Sequence, residues 1–284
     1  MRCVPDPLMT GMAASRMEEI MITSLHNKSV KEVSALIGKK RERDRQGLFV
    51  IEGAKMFGEA PVERISRVYI AQGVEKEMYA RYGEKLSGLS CEIVADEVFD
   101  RMSDTVTPQG ILCLVRQRHY NIEEMLQNTD KKQMLFIILE DIQDPGNLGT
   151  IFRTAEAAGA DGVIMSSRTA DIYNPKTIRS TMGAVYRVPF LYAESLPSAI
   201  RMLQGKGIAV YAAHLDAKSF YDAHEYRRST AFLIGNEANG LREETAACAD
   251  TLLAIPMEGK AESLNAAVAS SILMYEAYRQ RRNG

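Results

Sequence analysis

The sequence predicts an α/β protein in two parts, a small N-terminal α/β unit and a larger C-terminal one with a mostly parallel sheet and flanking helices. Three observations lead there. The chain has 284 residues, 46% of them hydrophobic, enough for two domains that each bury a core. A polar, charged stretch, RHYNIEEMLQNTDKK, interrupts it at 118–132. Beyond that stretch, apolar runs recur with helical segments between them: LFIILE (135–140), GVIMS (162–166), IAVYAAHL (208–215), AFLIG (231–235) and TLLAIP (251–256). Ligands of such sheets bind beyond the carboxyl ends of the strands.

The elements follow in order. Residues 1–21 are small, polar and Met-rich and read as a disordered leader or an over-extended start, without the apolar segment that secretion needs. Lys28 to Gly38 reads as a short helix with Val30, Val33, Leu36 and Ile37 on one side, ending at a Gly. A Lys/Arg cluster follows, then a strand at Leu48 to Ile51 and a helix from about Ala54. Ile65 to Ala71, Cys91 to Val94 and Gly110 to Arg116 are strand candidates, and Val98 to Met102 is helical. These bounds give an N-terminal α/β unit at 22–117, a linker with at most a short helix at 118–134, and a C-terminal α/β unit at 135–284.

Composition removes several functions. No apolar run approaches the roughly 20 residues of a membrane span. Cys3, Cys91, Cys113 and Cys248 form no CxxC pair and the four His are scattered, so neither a metal nor a disulfide framework is expected, and the compartment reads as a reducing cytoplasm. There is no GxGxxG after a predicted strand and no GxxxxGK[ST], which disfavours a Rossmann dehydrogenase or a phosphate-loop NTPase. Net charge is −2, yet from His26 to Val50 seven Lys/Arg face three acidic residues, leaving +4 there and −6 elsewhere. Local positive charge is what a polyanion meets, so Lys39, Lys40, Arg41 and Arg43 are candidate nucleic-acid contacts, with a solvated basic face as the plain alternative.

Three strand exits carry candidate chemistry. EDIQDPGNLGTIFRTAEAAG (140–159) is a strand exit, a Pro-Gly turn and a helix that buries Leu148, Ile151, Phe152, Ala155 and Ala158. Gly149 and Arg153 fall on its other side, where bare backbone and the helix N-terminus suit a phosphate or oxyanion, unless Asn147 merely caps the helix and Arg153 pairs with Glu156. AFLIGNEANGL (231–241) ends a strand at Gly235 and carries Glu237 outward on a turn. LLAIPMEGKAESLNAAVASSILMYEAYRQRR (252–282) is a strand, a loop and a long amphipathic helix that Ser263 or Asn265 could cap.

Taken together, NLGTIFRTAEAAG (147–159), NPKTIRSTMGAVYRVP (174–189), GNEANGL (235–241) and IPMEGKAESLN (255–265) resemble the SpoU/TrmH family of RNA ribose 2′-O-methyltransferases of the SPOUT superfamily. NKSVKEVSALIGKKRERDRQGLFVIEGAK (27–55) resembles the N-terminal substrate-binding domain of its rRNA-directed branch. The resemblance implies a trefoil-knotted catalytic domain, a homodimer sharing active-site residues, and S-adenosylmethionine as cofactor. It places Asn147, Arg153, Glu237, Ser263 and Asn265 at catalytic positions, and the cofactor against Gly235, Ile255, Met257 and Leu264. Ala238 stands where Gly is common, and AAVA (266–269) replaces the more usual VSVA, departures that bear on packing more than on chemistry. The implied substrate is RNA, rRNA first and tRNA as the alternative; a silent RNA-binding or assembly factor is disfavoured because all five catalytic positions are filled.

Overall fold

The computed structural model describes residues 21–127 and 133–282, so the expected leader, apart from Met21, lies outside them. Helix α1 (Lys28–Gly38) starts at Asn27, whose side chain accepts from the Ser29 N–H, and buries Val30, Val33 and Leu36. Lys39 is extended and breaks the helix, so the basic cluster forms a helix of its own, α2 (Lys40–Gln46), closed by Gly47 at φ +63°. The remaining elements of this unit are β1 (Leu48–Glu52), α3 (Ala54–Glu59), β2 (Ile65–Ala71), α4 (Glu75–Leu86), β3 (Cys91–Val94), α5 (Asp96–Met102) and β4 (Ile111–Arg116). The strands form a sheet in the order β1-β4-β2-β3, in which the β2–β3 pair is parallel and the other two pairs are antiparallel.

The stretch expected to be a linker contains α6 (Ile122–Gln127), whose Ile122 and Met125 are buried with Phe136, Ile138 and Ile164. Two apolar side chains three residues apart in a charged hexapeptide make one helical face, too brief a signal to stand out by periodicity.

The second unit comprises β5 (Leu135–Leu139), α7 (Pro145–Ala157), β6 (Gly162–Ser166), α8 (Pro175–Thr181), β7 (Phe190–Ala193), α9 (Leu196–Gln204), β8 (Ala209–Ala213), β9 (Thr230–Ile234), α10 (Glu243–Ala246), β10 (Thr251–Leu253) and α11 (Ala266–Arg282). Its sheet runs β10-β8-β9-β5-β6-β7 with every pair parallel. β5, β6 and β9 are buried at every position, which is why they read as unbroken apolar runs. β7 was not expected: it is a four-residue edge strand, half-buried over three of its positions, so alternation has no length in which to show. β10 ends at Leu253, after which Ala254 exchanges backbone hydrogen bonds with Ser219 and Tyr221 of the β8–β9 connection. The chain then turns back, and α11 packs against α7 and β9.

Each unit has an apolar cluster of its own, Val33, Leu36, Tyr69 and Phe99 in the first and Phe136, Ile138, Ile200 and Leu233 in the second, and a third cluster joins them. That cluster runs from Phe49, Ile51 and Phe57 of the first into Tyr173, Val185 and Phe190 of the second, with the Phe49 and Tyr173 rings 4.6 Å apart. Arg43 stands beside this junction and is 3% exposed. It donates to Asp171 from Nε (2.9 Å) and Nη2 (2.6 Å), and from Nη1 to the Leu36 and Ile37 carbonyls. Arg43 is therefore corrected from RNA contact to internal clamp: a guanidinium is tolerated in a dry junction only when its charge and its N–H groups are matched. Lys39, Lys40 and Arg41 remain exposed, Lys40 in an i,i+4 pair with Asp44.

Candidate active site

Three strand exits meet at the carboxyl edge of the parallel sheet. Beyond β5, Asp141 adopts φ +55°, a conformation that short polar side chains tolerate. Its carboxylate accepts from Ser166 Oγ at 2.7 Å. Asp144 caps α7 by accepting from the Asn147 N–H at 2.8 Å, ahead of Pro145 in the first turn. This hydrogen bond, helped by Lys176 at 3.6 Å, lowers the Asp144 carboxyl below its ordinary value. The cap is thus Asp144, and the Asn147 side chain is left for other work.

Asn147 joins the three exits. Its Nδ2 donates to Glu237 Oε1 at 2.5 Å, and its Oδ1 accepts from Asn265 Nδ2 at 3.0 Å. Asn265 also accepts from the Ala267 N–H at 2.9 Å, so it caps α11 and reaches the site at once. Gly235, Glu237, Ile255, Met257, Ser263 and Leu264 line one cleft of about 450 Å³, floored by β9 and β10 and closed by the start of α11. That volume falls in the range of small-molecule sites.

Arg153 is not brought to this group. It lies exposed on α7, and no hydrogen bond or ion pair joins it to another described residue. Glu156, its expected partner, bonds Arg187 instead. Gly149 is buried, and a Cβ there would sit 2.3 Å from Ser180 Cβ, so its bare backbone admits α8 rather than a ligand. Gly235 does line the cleft, but the tightest approach to it is by the Gly240 and Leu241 backbone.

Sequence reasoning missed the groups that hold the Glu237 loop. Asn236 pairs its backbone with Gly240, accepts from the Ala238 N–H, and donates from Nδ2 to the Asp141 carbonyl at 2.8 Å. At the other foot, Glu140 is 1% exposed and accepts from the Arg242 N–H and Nε, both at 2.8 Å, and from Thr245 Oγ1 at 2.6 Å. Both feet of the loop are thus fastened to the end of β5. A carboxylate closing the apolar run LFIIL was the available signal, since a Glu carried inward by a buried strand needs partners.

Among the described residues no group of three His, Cys, Asp or Glu is placed to hold a metal ion, and no helix is long and apolar enough to cross a membrane.

Comparison with known proteins supplies the context. Residues 134–275 match the SpoU rRNA Methylase family, and residues 27–113 match the MRM3-like substrate binding domain. The chain is 34% identical over 259 residues to the 23S rRNA (guanosine(2553)-2′-O)-methyltransferase RlmP of Bacillus subtilis, covering 89% of this chain and 97% of that protein. It is 30% identical to a 23S rRNA (uridine(2479)-2′-O)-methyltransferase of Streptomyces viridochromogenes, covering 96% and 98%. Among solved structures, an AdoMet-bound rRNA methyltransferase from Sinorhizobium meliloti superposes with a TM-score of 0.79 at 32% identity, covering 91% and 97% of the two chains. The SpoU methyltransferase AviRb from Streptomyces viridochromogenes, in complex with AdoMet, gives 0.81 at 26% identity, covering 91% and 99%.

Proposed function

We propose the following mechanism from the premise that this chain belongs to the SpoU rRNA methylase family. The protein is an S-adenosylmethionine-dependent RNA 2′-O-methyltransferase whose substrate is rRNA. The observation that carries the mechanism is the chain of hydrogen bonds Glu237–Asn147–Asn265 beside the 450 Å³ cleft. The cleft fits the cofactor: apolar walls from Ile234, Leu253, Ile255 and Leu264 stand against the exposed polar backbone of the 235–240 loop. Gly235, Ile255, Met257 and Leu264 hold the cofactor there, and Ser263 borders it. When bound, S-adenosylmethionine supplies the methyl group for in-line transfer to a ribose 2′-oxygen.

Asn147 is fixed in one amide orientation, because one end donates to Glu237 and the other accepts from Asn265. It orients the target sugar, while Glu237 holds the loop and balances charge. Arg153 acts as a planar hydrogen-bond donor and not as the base. It grips the neighbouring phosphate and stabilises negative charge at the 2′-oxygen, and the hydroxyl proton leaves to phosphate or water.

Arg153 reaches that position from a second copy of the chain. Two features support a homodimer: Arg153 is exposed on α7, next in the chain to Thr154, which meets Ser271 of α11, and α11 exposes Val268, Tyr275 and Tyr278. The C-terminal segment takes the trefoil threading of its family, and its turn back toward α7 supports this. Lys39, Lys40 and Arg41 contact RNA backbone from the N-terminal unit, and the enzyme works in the cytoplasm. Tritiated methyl incorporation into bulk rRNA and tRNA tests the activity, with label expected in rRNA. Label confined to tRNA, or none at all, contradicts the assignment.

A further inference from the structure

A second cleft, of about 550 Å³, shares Asn236, Asn239 and Gly240 with the cofactor cleft, but its other walls come from the ends of β5 and β6 and from Arg242. It adjoins the chemistry on both sides, since Gln143 in its wall lies four residues before Asn147 and Asn236 directly precedes Glu237.

Its charges are arranged in two tiers. The carboxylates are inward and occupied: Glu140 is saturated by Arg242 and Thr245, and Asp141 accepts from Ser166 and pairs with Arg168 Nε at 3.4 Å. The guanidinium groups are outward, with the Arg168 side chain 72% and the Arg242 side chain 47% exposed. A guanidinium carries five N–H donors in a rigid fork. Arg242 commits Nε and Nη2 to Glu140, and Arg168 commits Nε to Asp141, so each is aimed by a carboxylate behind it while donors remain in front. A cation would meet those arginines before it met any free carboxylate. An anion with several acceptor oxygens meets two oriented donors whose side-chain freedom is already reduced.

We propose that this cleft takes a backbone phosphate of the substrate RNA next to the nucleotide held at Asn147 and Glu237, gripped between Arg168 and Arg242. The proposal rests on the RNA-methyltransferase function above and adds a subsite to it. Gln143 serves it by steadying the wall, donating from Nε2 to the Arg168 carbonyl at 2.6 Å and to the Asp141 carbonyl at 3.2 Å.

The test uses the full-length protein and protein-free 23S rRNA transcript. Arg168→Gln is the direct variant, because Arg168 is exposed and lies outside the cofactor cleft. Arg242→Lys keeps a charge beside Glu140 but loses the fork. Arg168→Gln is expected to raise KM for the transcript about tenfold and to lower the log–log salt slope of binding by about one, while S-adenosylmethionine affinity stays within about twofold. Arg242→Lys is expected to raise KM in the same direction with the salt slope kept. An active wild type whose KM and salt slope are matched by both variants overturns the subsite alone. A wild type that transfers no methyl group overturns the enzyme assignment, and the subsite with it.

Discussion

Arg153 and Asn147 lie six residues apart on one helix, yet they have opposite surroundings. Asn147 is held from both ends by Glu237 and Asn265, whereas the exposed Arg153 side chain has no hydrogen bond or ion pair with a described residue. If the guanidinium acts through its planar fork, Arg153→Lys keeps charge but loses geometry. Single-turnover methyl transfer should fall on the order of 10²-fold with cofactor affinity nearly unchanged, and near-normal turnover removes Arg153 from the chemistry. Asp144 makes a separate prediction. Asp144→Ala should cost about 1 kcal/mol in urea unfolding at neutral pH, the usual worth of a side-chain cap. The Asn147 N–H lowers the Asp144 carboxyl, so the charged cap contributes fully above the ordinary aspartate value of about 3.9 and is lost as pH falls through the lowered one. The gap between wild type and variant should therefore narrow in acid. The three strand–loop segments were legible in the sequence, but it was the family resemblance that singled out Asn147, Glu237 and Asn265 within them. The partners of Glu140 and Asn236 were not legible, because a hydrogen bond between residues about 100 apart leaves no local pattern of which residue answers which.

At the scale of elements, the buried strands of the second sheet were the most legible, because burial on both faces writes an uninterrupted apolar run. β7 escaped notice, and α6 was read as no more than a short linker helix, for the converse reason: each is too short for its period to repeat. Gly149 shows a different limit. A helical glycine announces that something comes close, but not what, and here the neighbour is α8, with Thr177 O 2.9 Å from the position a Cβ would take. Gly149→Ala should therefore force α7 and α8 apart and cost roughly 1–3 kcal/mol. A lowered urea midpoint at unchanged m-value is the expected outcome; wild-type stability would show that the helices yield freely.

Across the whole molecule, length and composition suggested two bodies with their own cores; each has one, and a shared cluster through Phe49, Tyr173 and Phe190 fuses them besides. Contacts between distant segments are invisible to periodicity, and Arg43 illustrates the cost: it sits in a basic run and looks like its neighbours, yet it is sealed against Asp171. Arg43→Met should destabilise the protein by about 3–5 kcal/mol, since it leaves a nearly buried carboxylate without its charge partner. Urea unfolding should then lose its single transition as the N-terminal unit detaches first. One transition with an unshifted midpoint would show the clamp to be dispensable. On the function proposed above, the fused junction also makes the molecule a caliper. With one jaw on a feature of folded RNA and the other on a sugar, the span between landmark and mark would be a constant of the protein, indifferent to the nucleotides in between.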